Sequence, residues 1–408
     1  VPARASALFC HTSPGGNPLA IRQPWRLTAM LSKSKSVPSL LRLHRIHGAD
    51  FNEIHLATTW MRLSRLRRGK LMTSSLNTAL EPLVQQSVKM AASGRLQGRP
   101  VANIGYGAAR SGLRSSQGAA PLYAAVASAA SRQLRDMSPQ AIANLAWAMA
   151  TAGHPAPELL TALAQAAIPK LRGFTPQHLA NFAWAYATSG HNAPALFDAI
   201  ALSATMRLAD SADDFNNQNL ANLAWAYAKA GHPAPMLLDA IAAACCARLD
   251  TFLPIDFASV SWAFAVTRHD APALFDAIAR EATPRLDEFS DQALANLAFA
   301  FALVGHPAAP RLLDAIAEEA TPRLETFSAQ NLANLASPYV TAGRKAPQLF
   351  DGVGQAAAAR LDEFTPNALA NYALAAARAT EAPDPLLWKA RVFDFPPSAV
   401  ATLAAAFA

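Results

Sequence analysis

The residues best suited to chemistry in this sequence recur rather than cluster. Asn144, Asn181 and Asn222 are each followed three positions later by Trp147, Trp184 and Trp225, in segments such as Phe174-Thr-Pro-Gln-His-Leu-Ala-Asn-Phe-Ala-Trp-Ala-Tyr-Ala. Amides can hydrogen-bond base edges and indoles can stack on bases, so this pairing is suited to single-stranded nucleic acid. A cationic ladder of Lys170, Arg207, Arg248, Arg285, Arg323 and Arg360 could contact phosphates. His154, His191, His232, His269 and His306 also recur, as do Asp198, Asp239, Asp276, Asp314 and Asp351. None of these forms a catalytic constellation. There is no phosphate-cradling glycine loop, no nucleophile elbow and no His-Glu-x-x-His. Histidines one unit apart sit ~8–10 Å from each other, the usual helix spacing, and cannot share a metal ion. No enzyme activity, cofactor, metal or small-molecule substrate is expected.

Each ladder also has a plainer structural use. The Asn barely changes, whereas a position that selects bases should differ between units, so a buried amide satisfying backbone groups between neighbours is expected. Aromatics at helical spacing are expected to pack between repeats. The cations stand at the end of a helix, where positive charge suits the negative terminus, and Asp250, Asp287 and Glu288 close behind would repel a phosphate. The histidines are expected to cap exposed carbonyls, and the aspartates to pair with Arg or backbone. Base-reading candidates therefore move to variable positions. Just after the helix cap these are His178, Asn219, Asp256, Ala293, Asn331 and Ala368. Late in the same helix they are Thr188, Lys229, Val266, Leu303, Thr341 and Arg378.

These residues are positioned by a repeat. With the Asn as marker, units fall at Asn103, Asn144, Asn181, Asn222, Ser259, Asn296, Asn334 and Asn371, with spacings of 37, 38 or 41 residues. Degenerate copies around Thr58 and Thr402 extend the series. Each unit reads as two helices. The first opens on a Ser/Thr cap, as in Ser138-Pro139 and Thr365-Pro366, and closes on a glycine such as Gly153, Gly190 or Gly231. The second begins at Pro157, Pro194, Pro235, Pro272, Pro310 or Pro347 and ends near Arg-Leu-x-x-Phe. Such hairpins bury their apolar faces only by stacking, which predicts an all-α, right-handed α-solenoid with a ~37-residue repeat. On the first helix, 100° per residue puts Gln177, Asn181, Trp184 and Thr188 on one side, the candidate concave face. Where Arg268 replaces the closing glycine, Ser259 the Asn and Ile255 the Gln, an irregular joint is expected.

At 52% hydrophobic and 15% charged over 408 residues, the chain can bury a large core, and no apolar run approaches the ~20 residues of a membrane span. Cys10, Cys245 and Cys246 support neither a disulfide framework nor a zinc site. The net charge of +7 hides an asymmetry: residues 1–135 carry 19 basic and 3 acidic side chains, residues 136–408 carry 16 and 25. Arg67, Arg68, Arg99, Arg110 and Arg114, in the basic third, are candidate phosphate contacts. Residues 1–49, acid-free and basic, read as a transit peptide or disordered segment. Residues 50–135 follow as degenerate repeats, 136–380 as the regular array and 381–408 as a final partial repeat.

The recurring Phe-[Ser/Thr]-x-Gln-x-Leu-Ala-Asn-[Leu/Phe]-Ala-Trp-Ala-[Tyr/Phe]-Ala, followed by Gly-His-x-Ala-Pro, resembles the octotricopeptide and heptatricopeptide repeats of algal and protist organelle proteins. Similar repeats occur in FAST-kinase-like proteins and in the helical kinetoplastid RNA-editing substrate-binding complex proteins. Many relatives end in a RAP domain, whereas this sequence stops within a repeat at Ala408. The resemblance implies binding of single-stranded organellar RNA, in a mitochondrion or chloroplast, during RNA processing, stabilisation or translation, alongside other proteins of an RNA-processing complex and without a membrane. The alternative is a protein-binding scaffold like armadillo or HEAT arrays, which the acidic balance of residues 136–408 favours.

Overall fold

A computed structural model describes residues 24–67, 72–365, 368–370 and 372. All regular structure among them is helical. The α-helices are α1 (Pro24–Lys33), α2 (Val37–His47), α3 (Glu53–Leu66), α4 (Ser74–Ala92), α5 (Arg99–Arg110), α6 (Ala120–Ser131), α7 (Pro139–Ala152), α8 (Pro157–Ala167) and α9 (Pro176–Ser189). They continue as α10 (Pro194–Asp210), α11 (Asn217–Ala230), α12 (Pro235–Cys246), α13 (Pro254–Thr267), α14 (Pro272–Ala282), α15 (Asp291–Val304), α16 (Ala309–Ala320), α17 (Ala329–Thr341) and α18 (Pro347–Ala358). The chain divides into two units, Val1–Leu163 and Ala164–Ala408. Each is a helical solenoid with a front layer of first helices and a back layer of second helices. In the first unit α3, α5 and α7 stack in front, and α4 and α6 pack behind. In the second, α9, α11, α13, α15 and α17 form the front layer, with α10, α12, α14, α16 and α18 behind. No described helix is long and apolar enough to cross a membrane.

Local chemistry sets the helix ends. Ser138, Thr175, Asn216, Ser290 and Ser328 each accept a backbone N–H three residues on. Gly153, Gly190, Gly231 and Gly305 close their helices in the left-handed region. At the expected irregular joint, Arg268 takes the same conformation (φ 53°) and its neighbour repeats the usual bond, His269 N–H to the Phe264 carbonyl. Leu253 has no hydroxyl to accept the Asp256 N–H, which bonds the Leu253 carbonyl at 2.9 Å instead, and the Asp256 carboxylate accepts from the Leu253 N–H at 3.1 Å. α13 packs on both α11 and α15, so the joint is regular. Stacking outweighs the ~1–2 kcal/mol that a left-handed arginine costs. Residues 24–47, within the stretch expected as transit peptide or disordered arm, form α1 and α2 with Leu27, Leu31 and Leu40 buried; the rest of that expectation, residues 1–23, lies outside the described residues. So do residues 381–408.

The cationic ladder explains how each hairpin is held. Arg248 donates to the carbonyls of Phe215 and Ala212, both at 2.8 Å. Arg285, Arg323 and Arg360 reach Phe252, Phe289 and Phe327 in the same way at 2.9–3.0 Å, and Arg207 reaches Phe174, Leu171 and Arg172. Each guanidinium thus closes its own hairpin, bonding the carbonyl that precedes the cap of its front helix. Arg248 and Arg360 also donate through Nε to the Ala244 and Ala356 carbonyls in the last turn of their own helices, at 3.2 and 3.4 Å, so the helix-end role expected from the sequence is present, and the guanidiniums are engaged with backbone carbonyls rather than held ready for phosphate.

The joint between hairpins pairs His232 with Asp198 and His269 with Asp239, each at 2.8 Å, His306 with Asp276 at 3.5 Å, and Arg344 with Asp314. The imidazoles meet the preceding repeat's carboxylates rather than carbonyls. Length variation is absorbed behind. α10 has 17 residues against 12 in α12, close to one extra turn, which accommodates most of the 41-residue spacing between Asn181 and Asn222.

Arg248→Ala should lower stability by about 2–4 kcal/mol, since charge-assisted bonds are worth ~1.5–3 kcal/mol and two carbonyls lose their donor. Arg248→Lys should recover less than half, because a point ammonium cannot serve both as a planar fork does. Urea denaturation of the two variants checks this; a Lys variant as stable as the parent would contradict it.

Candidate nucleic-acid interface

Each front helix leaves only one narrow face uncovered. On α9 the residues at four spacings, Gln177, Asn181, Trp184 and Thr188, are exposed, half-buried, half-buried and exposed, while Leu179, Ala180, Phe182, Ala183, Ala185 and Tyr186 are fully buried. The pattern returns as Gln218, Asn222, Trp225 and Lys229 on α11, as Gln292, Asn296, Phe299 and Leu303 on α15, and as Gln140, Asn144, Trp147 and Thr151 on α7 with the last position half-buried. In each unit, therefore, amides, aromatics and a variable residue form parallel columns across the stacked helices.

The amide column is not a packing device. Asn144, Asn181 and Asn222 make no side-chain hydrogen bond within the described residues. Their amides face out half-covered with donors and acceptors unspent, contrary to the expected buried, satisfied amide. The aromatic column does two things at once. Trp184 and Trp225 lie 6.4 Å apart between centroids, Trp225 and Trp262 6.2 Å, with planes about 30° apart. Each indole lies tilted against its neighbour and keeps part of its surface in solvent.

The first unit carries the same columns with a different charge. α3 presents Ile54, Thr58, Met61 and Arg65, and α5 presents Arg99, Asn103, Tyr106 and Arg110. The Arg110 guanidinium lies 5.6 Å from the Tyr106 ring and donates to its hydroxyl, and Tyr106 sits 4.9 Å from Trp147. Arg99 and Arg110 are thus on the stripe. Arg114 is exposed in the turn after α5, off the stripe. Arg67 is a correction: it is 8% exposed, donates to the Ser111 carbonyl at 3.1 Å and is held below the usual guanidinium range by burial. It joins the ends of α3 and α5 and does not face a ligand. Arg68 lies outside the described residues.

The variable positions after the cap are also corrected. Asn219 is 4% exposed, and with Asn216 it forms a reciprocal cap in which each side chain accepts the other's N–H. His178 does the same with Thr175, so these two positions vary because several side chains can complete a cap. The pattern Ser/Thr/Asn-x-x-polar carried that signal in the sequence. Asn331 occupies the equivalent place on α17 with only its backbone N–H bonded to Ser328, and it is half-buried. Thr188 and Lys229, at the far end of the stripe, are exposed as expected of readers; Arg378 lies outside the described residues. The alignment of Arg65, Arg99 and Arg110 with the columns was missed, although the 3.6-residue period contains it.

A front layer of stacked helices, each backed by a second helix and repeated in register, defines a helical-repeat protein. Residues 108–382 match the family described as RNA-editing substrate-binding complex 6 protein, and the chain belongs to that family. No curated protein matches it.

Two measurements test the columns. Asn222→Ala should leave stability within about 0.5 kcal/mol or raise it, because no bond is lost and alanine favours helix, whereas Trp225→Ala should cost about 2 kcal/mol, less than a fully buried indole. Chemical denaturation separates them, and a loss above ~1 kcal/mol for Asn222→Ala would restore the buried-amide reading. Burial also lowers the His178 pKa below its ordinary 6.5. The unfolded chain then binds protons that the folded one refuses, so this contribution is complete above pH 6.5 and is lost as the pH falls below it. His178→Asn, the cap found at Asn219, should flatten that part of the stability–pH curve.

Proposed function

We propose that this protein is a non-catalytic, RNA-binding component of an RNA-editing substrate-binding assembly, acting on single-stranded RNA in the mitochondrion. The observation that carries the reading is the stripe: half-exposed amides without partners beside half-exposed indoles, and no acidic residue at any of its described positions. Bases stack on the aromatic column, amides bond base edges, and the terminal column of each unit, Arg65 and Arg110 in the first and Thr188, Lys229 and Leu303 in the second, modulates preference. Arg65, Arg99 and Arg110 add sequence-independent phosphate affinity. The family match supports the RNA-editing context and a multi-protein setting. The resemblance to octotricopeptide and heptatricopeptide arrays supports modular reading, one repeat at a time. The chloroplast half of the localisation expected from the sequence gains nothing from the family match.

The acidic balance of residues 136–408 favours a peptide scaffold only if those charges line the binding face. They lie elsewhere: Asp198, Asp239, Asp276 and Asp314 are paired across joints, and Asp213, Asp250 and Glu288 sit in the short turns between back and front helices. The stripe itself is neutral to basic.

Single-stranded RNA should bind the full chain at ~50 mM salt, with affinity falling as salt rises. Replacing Arg65 and Arg110 by Ala should reduce the log–log salt slope by about 0.7 for each phosphate no longer neutralised. Trp225→Ala should weaken binding ~5- to 100-fold, the range of one stacked base, at nearly constant slope. Filter binding across a salt series distinguishes these effects. No binding above background would overturn the RNA reading and leave the protein scaffold.

A further inference from the structure

At the first repeat of the stripe the surface is not a flat face but a cleft of about 360 Å³. α3 contributes Thr58, Arg62 and Arg65, α5 contributes Arg99 and Asn103, and α1 closes one side through Ser32. The helices approach closely because Gly107 of α5 lies against α3, where a Cβ would come within 2.7 Å of the Trp60 carbonyl carbon.

The charge of this cleft is out of proportion to the rest of the stripe. Each described front helix of the second unit brings at most one cation to its stripe, whereas here three guanidiniums line one cavity with no acidic residue among the lining. Arg62 uses its Nε on the Ser34 carbonyl at 2.6 Å, which fixes the side chain and leaves its two terminal nitrogens unengaged. Arg65 and Arg99 make no ion pair or hydrogen bond within the described residues. A single internal phosphodiester carries one negative charge and needs one such partner. Three guanidiniums lining one cleft, with the Asn103 amide and the Thr58 hydroxyl beside them, match a group of two or more charges and several acceptor oxygens.

The geometry points to a terminal-phosphate site: the cleft takes the phosphomonoester at one end of an RNA strand whose following nucleotides run along the stripe. This rests on the RNA-binding reading above. It adds that the protein recognises a strand end and not only an internal segment. Phosphate chemistry alone does not choose between a 5′ and a 3′ end, and the experiment does.

The full chain is titrated with one 20-nucleotide RNA in three forms: 5′-phosphate, 3′-phosphate and hydroxyl at both ends. One phosphorylated form should bind about tenfold more tightly than the hydroxyl form. Pyrophosphate should compete away that advantage, and it should shrink between pH 7.5 and 5.5 as the monoester loses its second charge near pH 6. In the double variant Arg65→Gln/Arg99→Gln the advantage should vanish, while the hydroxyl form loses only about threefold. Both side chains are exposed, and a melting temperature matching the parent confirms an intact fold. Equal binding of the three forms to the parent protein would overturn the end site while leaving RNA binding in place. An advantage that persists in the double variant would overturn its assignment to this cleft. Failure of all three forms to bind would instead overturn the RNA reading itself.

Discussion

The second unit depends on one contact made again in every hairpin: a guanidinium at the end of the back helix bonded to the carbonyl that precedes the cap of the same hairpin's front helix. The contact fixes two things together. It ties the end of each hairpin to its beginning, at the turn that leaves the preceding back helix, and it satisfies a backbone acceptor where helix bonding has stopped. A lysine could supply the charge but not the fork. Arg207, Arg248, Arg285, Arg323 and Arg360 all make it, so every hairpin is closed in the same way and presents the same front face. Like hairpins packed front helix on front helix bring Trp184 beside Trp225 and repeat the Asn181 and Asn222 positions.

The two sets of cations keep the roles that their sequence positions suggested, with partners that the sequence did not show. The regular arginines near helix ends are structural, each bonded to a backbone carbonyl. The scattered arginines of the first unit include three, Arg65, Arg99 and Arg110, that fall into the columns of the stripe. Burial decides between them: Arg67, two residues from Arg65, is enclosed and bonded to Ser111, while Arg65 faces out. On a helix, two residues turn the direction by 200°, enough to convert a ligand contact into a packing contact.

Much of this was legible in the sequence, and its limits are physical. The helical period, the caps and the closing glycines are local, so the all-α hairpin array and the Gln-Asn-Trp stripe follow from spacing alone. The guanidinium–carbonyl bond joins residues 33 or 34 apart, a distance that no local pattern spans, and its acceptor is backbone and leaves no side-chain signature. The reciprocal caps at His178 and Asn219 were local and readable, but variability at those positions also looks like a mark of recognition. Chemical interchangeability at a cap produces the same variability. For the amide column the reverse holds. Constancy suggested burial, yet an exposed residue can also be constant when every repeat offers the same hydrogen-bonding edge.

The longer α10 shows how such an array can change length. The extra residues of α10 follow Arg207: thirteen positions separate Pro194 from Arg207 just as they separate Pro235 from Arg248, whereas Phe215 comes eight positions after Arg207 and Phe252 only four after Arg248, so the guanidinium keeps its place on the helix and still reaches the Phe174 carbonyl. Two residues inserted ahead of Arg207 would instead swing it to the opposite side and break the contact. The array therefore takes up extra length between the guanidinium and the next front helix, much as a zip accepts extra cloth behind its teeth but not a tooth out of pitch.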